Sequence, residues 1–333
     1  MSHFLTPVFA PGFFASEAVH IALAVGALVA IVTGTVGVFT VMRGQAFAGE
    51  AFGDIGTTGG SGAFLVGVGP LWGFVIGNLL AAGAMETIGI QRTRGRDLAT
   101  GIVLGASIGL AALFLYLYTA GHSTTGETVT ILFGSAFAIV SSTFPLIALL
   151  SILALAITIT LYRPLLLTTV SPEMAAARGI PVRMIGILYL IALALAAALA
   201  AITIGSILGT ALLVGPAASA LRLTKRPLIA MLTAAGIGIG AMWLGIVLAY
   251  DSYEWPPAGH GWPISFFVVA LVFIIYLVSG LPERRRRHRG ENPKKRSENP
   301  GVSHQRPLER EQRGFRTDTQ HPSRTLQAVP ESR

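Results

Sequence analysis

The chain of 333 residues contains no cysteine. That excludes disulfides, thiolate nucleophiles and cysteine-ligated zinc or iron–sulfur centres. Charge is scarce as well: 12% of the residues are Asp, Glu, Lys or Arg, against about 25% in a soluble domain. No Gly-x-x-x-x-Gly-Lys-Ser/Thr phosphate loop occurs, and the glycine-rich GTTGGSG, which lacks the Gly-Lys-Ser/Thr end, is a poor match to one. The charge that exists is uneven. Residues 1–282 hold ten Lys/Arg and nine Asp/Glu, whereas residues 283–333 hold fourteen and seven. The basic excess is a property of the tail. With no folded basic domain to grip a phosphate backbone, nucleic acid is not expected as a partner. The first twenty residues lack the basic start of a secretory signal and read as mature chain.

What fills the space is apolar. A membrane-crossing helix needs about 20 mostly apolar residues, and the stretches 18–42, 70–91, 98–119, 141–162, 184–204, 228–250 and 264–281 meet that need. Two less regular stretches, 46–68 and 206–221, raise the number to nine, or eight if 46–68 dips in and returns. The fold class predicted is an all-α polytopic membrane bundle over residues 1–282. The ten basic residues of that region sit in alternate connections: Arg43; Arg92, Arg94 and Arg96; Arg163, Arg178 and Arg183; Arg222, Lys225 and Arg226. The connections 1–17, 120–140 and 251–263 have none. By the positive-inside rule the basic loops are cytoplasmic, the N-terminus is external and the C-terminus internal. Residues 283–333 are too polar to bury a core and read as a disordered cytoplasmic tail. Its Arg and Lys runs could also hold anionic lipid headgroups.

Three acids fall inside the predicted spans: Glu50, Asp54 and Glu86. Each is expensive at membrane depth, by at least about 2.5 kcal/mol. Glu86 lies near a cytoplasmic end, where it can reach the interface or pair with a nearby Arg. Glu50 and Asp54 belong to the stretch "GEAFGDIGTTGGSG", residues 49–62. Four residues apart, they share one face of a helix. A divalent cation would hold both ionised and offset their desolvation; alternatively, one carboxyl stays protonated, or a buried Arg neutralises the pair, although no Arg or Lys falls inside a predicted span. Gly56, Gly59, Gly60 and Gly62 follow. Each disfavours a helix by about 1 kcal/mol relative to Ala, so a helix break is expected here, of the kind that lines ion sites in transporters. The other reading is a glycine packing seam. A further acidic grouping, Asp251, Glu254 and His260, lies on one external connection and could form a metal entrance.

Residues 171–180, "SPEMAAARGI", read as one short helix. Ser171 suits the N-cap, Pro172 the first turn and Glu173 the positive dipole end, while Gly179 ends it and Pro181 prevents continuation. Such a helix across a cytoplasmic loop can dock into a partner's groove.

The order of these motifs resembles the permease subunit of zinc/manganese/iron ABC importers. Pro172, Glu173, Ala175 and Gly179 match its coupling-helix pattern, and Pro216, Ala217, Ala218 and Ala220 match the end of its small-residue helix. The resemblance covers about residues 18–281. It implies a cytoplasmic ATP-binding subunit docked at Ser171, Pro172, Glu173, Arg178 and Gly179. It also implies an extracellular solute-binding protein, a second permease copy, and the plasma membrane of a prokaryote. The chain would be a non-catalytic transport subunit with no resident cofactor, its manganese, zinc or iron being cargo. Where the family pattern has an Asp and a His four apart facing the metal path, this chain has Glu50 and Asp54. Oxygen-only ligation suits Mn²⁺ better than Zn²⁺, which favours His or Cys. Other readings are a permease for iron chelates or cobalamin, which needs a wide polar cavity, and an ATP-independent secondary transporter, which should show repeat symmetry.

Overall fold

The computed structural model describes residues 13, 16–87, 96–122, 126–134, 136–255 and 261–280. The tail 283–333, Arg92, Arg94, His3 and His260 lie outside the described residues, as do the side chains of Arg96, His122 and Glu254. Among the described residues the regular structure is all helical: α1 (Glu17–Met42), α2 (Ala46–Leu65), α3 (Pro70–Thr87), α4 (Arg96–His122), α5 (Gly126–Phe133), α6 (Phe144–Thr160), α7 (Tyr162–Val170), α8 (Pro172–Ala177), α9 (Val182–Ile204), α10 (Ser206–Leu223), α11 (Pro227–Asp251) and α12 (Ile264–Ser279). Among the described residues six segments are long and apolar enough to cross a membrane: Glu17–Met42, Leu104–Gly121, Ser141–Thr160, Val182–Ile204, Ser206–Leu223 and Pro227–Asp251. The helix Ile264–Ser279 is apolar but shorter. This is a multi-span membrane protein.

Helices α1 and α9 form the centre. Every residue from Val32 to Thr40 is buried, as is every residue from Ala192 to Ala201. A helix buried all round needs no amphipathic stripe, only small side chains that let its neighbours close in. Gly34 and Gly37 of α1 supply that: a Cβ on Gly34 would lie 2.7 Å from the backbone N of Ala235 in α11, and one on Gly37 would overlap the Leu213 carbonyl of α10. The buried hydroxyls of Thr33, Thr158 and Thr203 each donate to a carbonyl four residues back in their own helix, at 2.8–2.9 Å. In a solvent without water that local bond is how a hydroxyl is satisfied.

Two basic residues, Arg43 and Arg183, stand at the end of the bundle where α9 starts. There Arg183 Nε, at the start of α9, meets Glu86 Oε1, at the end of α3, at 2.8 Å. Glu86 thus pairs with an Arg 97 residues away in the sequence. At the other end Trp255, Trp262, Phe266 and Phe267 pack edge to face and stacked, with centroids 5.4–6.4 Å apart. Ser252 Oγ accepts from the Trp262 N–H at 2.9 Å. Exposed aromatics at a span boundary fit an interfacial belt.

Two sequence expectations change. The connection 120–140 is not a plain loop: it folds into α5 and a one-turn 3₁₀ segment, Ala136–Ala138. The expected helix break at Gly56, Gly59, Gly60 and Gly62 does not occur, because α2 runs unbroken through all four.

Candidate functional site

The glycines of α2 serve the approach of neighbouring helices. A Cβ on Gly59 would overlap the Gly73 carbonyl of α3, and one on Gly73 would overlap the Gly59 carbonyl. On Gly60 it would meet the Phe74 ring at 2.8 Å, and on Gly56 it would meet Asn78 Oδ1 at the same distance. Intrinsic propensity sets about 1 kcal/mol per glycine against the helix. Close backbone packing along α3, with no water to receive a freed carbonyl, outweighs it. Thr57 and Ser61 add hydroxyl bonds to the carbonyls of Gly53 and Thr57 at 2.9 and 2.7 Å. Thr58 Oγ1 donates to the Ser107 carbonyl of α4 at 2.7 Å. So α2 is clamped between α3 and α4 on one side.

The acids lie toward the start of the same helix. Glu50 lines an open groove of about 640 Å³ formed with α10 and α12, among Phe47, Thr210, Val214, Phe273 and Tyr276. It is the only acidic residue of that lining. Asp54, one turn further along α2, is half-buried and lies outside the groove lining. Among the described residues neither carboxylate has a side-chain hydrogen bond or ion pair, and no group of three or more His, Asp or Glu gathers anywhere. Among the described residues, then, two carboxylates stand on one helix without a closed ligand cage. Asp251, at the end of α11, is half-buried and far along the chain from them.

A break does lie beside α2, in a segment the sequence reading passed over. Helices α9 and α10 are separated by Gly205 alone, with φ 92° and ψ 157°, a region essentially restricted to glycine. Gly134, also at positive φ (71°), packs directly against it. A Cβ on Gly134 would overlap the Gly205 N, and one on Gly205 would overlap the Leu132 carbonyl. The end of α5 is thereby locked into the α9–α10 junction. Just past it, Ser206 Oγ is buried without a hydrogen-bond partner. Ser206, Gly209 and Thr210 enclose a cavity of about 10 Å³ with Gly49 and Gly53 of α2. Nothing in "ITIGSILGT" marks Gly205 among the many glycines of the spans; only the backbone approach of Gly134 does.

The short helix read from "SPEMAAARG" is α8. Ser171 Oγ accepts from the Met174 N–H at 3.3 Å, Arg178 is the C-cap residue, and Gly179 has φ 75°. Ala175 is its buried residue. Pro172, Glu173, Met174, Ala176, Ala177, Arg178 and Gly179 are exposed.

Apolar helices closed by small residues, several of them long enough to cross a membrane, define a multi-span membrane protein. The particular lineage follows from comparison: the chain belongs to the ABC 3 transport family, whose sequence profile matches residues 15–279. It is 34% identical over 232 residues to the manganese transport system membrane protein MntC of Halalkalibacterium halodurans, covering 69% of this chain and 78% of that one. It is 29% identical over 206 residues to the high-affinity zinc uptake system membrane protein ZnuB of Haemophilus influenzae, covering 62% and 78%. Among solved structures it superposes on PsaBC from Streptococcus pneumoniae in complex with Fab with a TM-score of 0.70. That match has 24% identity and covers 81% of this chain and 93% of the other. The last likeness is one of fold.

Proposed function

We propose that this chain is the transmembrane permease subunit of an ABC importer for divalent transition-metal ions, with Glu50 and Asp54 on the metal path. The observation that carries the reading is the pair itself. Two carboxylates share one face of helix α2, with no hydrogen bond or ion pair among the described residues to repay their desolvation. A passing divalent cation supplies that compensation. Two oxygen ligands without a closed cage suit transient binding, which a conduction path requires. They also favour a harder ion, so Mn²⁺ is the first cargo to test, ahead of Zn²⁺ and Fe²⁺.

The open groove beside Glu50 is where a second copy of the permease would complete the path. The exposed face of α8, with Pro172, Glu173, Arg178 and Gly179, would seat a separate ATP-binding subunit, so that hydrolysis occurs off this chain. An extracellular solute-binding protein would deliver the ion at the aromatic end. The membrane would be the plasma membrane of a prokaryote, with the basic tail, residues 283–333, on the cytoplasmic side against anionic lipid.

The test is ATP-driven uptake of ⁵⁴Mn²⁺ and ⁶⁵Zn²⁺ into proteoliposomes holding the full transporter. Wild type is compared with Glu50→Gln and Asp54→Asn. Loss of outer-shell metal partners alone typically lowers affinity about 10–100-fold, so removing a direct ligand should reduce uptake by at least about tenfold at limiting metal. Unchanged uptake in both variants would remove the pair from the path. Uptake of neither ion by wild type, with another solute moved instead, would overturn the cargo.

A further inference from the structure

Arg43 ends α1 and sits where three functional elements meet. Its guanidinium Nη1 donates to Thr168 Oγ1 of α7 at 3.4 Å, and its Cζ stands 5.0 Å above the ring of Tyr189 in α9. Tyr189 is fully buried, and its hydroxyl is 2.7 Å from Thr40 Oγ1 of α1. Among the described residues no carboxylate is paired with Arg43. A guanidinium held by a ring face and one long hydroxyl bond is fixed in direction yet loosely bound. It can follow a moving partner, or release it, far more easily than a desolvated bidentate ion pair could.

The connections on either side are stiff. The backbone N–H groups of Arg43, Gly44 and Gln45 donate to Phe39, Val41 and Thr40 at 2.9, 3.1 and 2.8 Å. Gly44, at φ 63°, makes the turn, and α2 begins at Ala46. Glu50 is one helical turn further on. On the other side, Thr168 precedes the Ser171 cap of α8 by three residues, and the Ser171 N–H donates to Leu167 at 2.9 Å. A displacement of α8 therefore moves Thr168, and a displacement of Arg43 moves the start of α2.

We propose that Arg43 is the positioning residue through which motion of α7 and α8 reaches the acidic helix α2. This rests on the permease reading above, in which a partner ATPase pushes on α8.

The test uses the complete transporter in proteoliposomes, with uptake of Mn²⁺ and ATP hydrolysis measured in the same vesicles. Arg43→Gln should leave hydrolysis within about twofold of wild type while uptake falls about two- to thirtyfold, the span of a single coupling contact. Arg43→Lys keeps charge without the planar stack and should fall between them. Tyr189→Phe keeps the ring and should stay close to wild type. Parallel loss of uptake and hydrolysis in Arg43→Gln, or no change in either, overturns the proposal. A second readout does not depend on cargo. The cysteine-free chain allows single labels at Met174 on α8, 52% exposed, and at Val66 just past the far end of α2, 75% exposed. ATP should shift both labels in wild type, and only the Met174 label in Arg43→Gln. If the Val66 label moves equally in both, or in neither, Arg43 transmits nothing. If metal uptake is absent but the Arg43-dependent shift persists, the cargo assignment fails and the coupling stands.

Discussion

Glycine does opposite things in two regions of this molecule. In α2, four glycines within seven residues leave the helix unbroken. At the α9–α10 junction a single glycine, Gly205, ends one helix and starts the next. Number and local density are therefore poor guides. In α2 each missing side chain is space for a neighbour, α3 for Gly59 and Gly60. At Gly205 the missing Cβ permits a backbone conformation closed to other residues, and a second glycine, Gly134, leans on it. In a bilayer the backbone has no water to turn to, so a helix breaks only where another protein segment receives it.

The sharpest way to break this contrast is Gly205→Ala. A side chain at φ 92° and ψ 157° is strained by about 1–3 kcal/mol, and its overlap with the Leu132 carbonyl adds a penalty of about 1–3 kcal/mol for overpacking. The expected outcome is a collapse in the yield of monodisperse protein, or a large drop in melting temperature in detergent. Gly134→Ala should do nearly the same, because its Cβ overlaps the Gly205 backbone. Near-wild-type melting in both would mean the junction relaxes freely and is no fixed break.

A smaller effect is expected at the seam. Gly59→Ala places a methyl against the Gly73 carbonyl, a backbone atom that cannot rotate away. The overpacking of about 1–3 kcal/mol exceeds the helix propensity gained, about 1 kcal/mol. Melting should fall, and α2 should part from α3, as seen by reduced cross-linking between cysteines introduced on the two helices. If α2 were broken at this point, the same substitution would regularise it and raise melting instead.

What could be read from the sequence divides along the same line. The apolar spans and α8 were legible, since each is encoded locally: hydrophobic length for the one; Ser171, Pro172 and Gly179 for the other. Glu50 and Asp54 stood out because acids within a long apolar stretch are costly whatever the fold, and their place on the metal path is our proposal. The unbroken course of α2 was not, since propensities for glycine describe a helix in water without a packing partner. Helix α5 and the Gly205 junction were not legible either. "GETVTILF" is only eight residues long, too short for a periodic signal. The role of Gly205 depends on Gly134, 71 residues earlier, which no local window contains.

The smallest effect separates packing from breakage most cleanly. Gly62 lies in the same glycine run as Gly59 and Gly60, yet its surroundings differ. The nearest atoms to a Cβ placed there are Cε2 and Cδ2 of Phe114 in α4, at 3.3 and 3.5 Å. These belong to a half-buried ring that can tilt by a few tenths of an ångström, not to backbone. The contact penalty is therefore slight, while the helix gains up to about 1 kcal/mol from replacing glycine by alanine. Gly62→Ala should leave melting unchanged or raise it slightly, with metal uptake intact. A drop as large as that of Gly59→Ala would show that the run acts as one flexible unit. A slight rise beside a clear drop at Gly59 would show that each glycine answers to the particular atoms it faces.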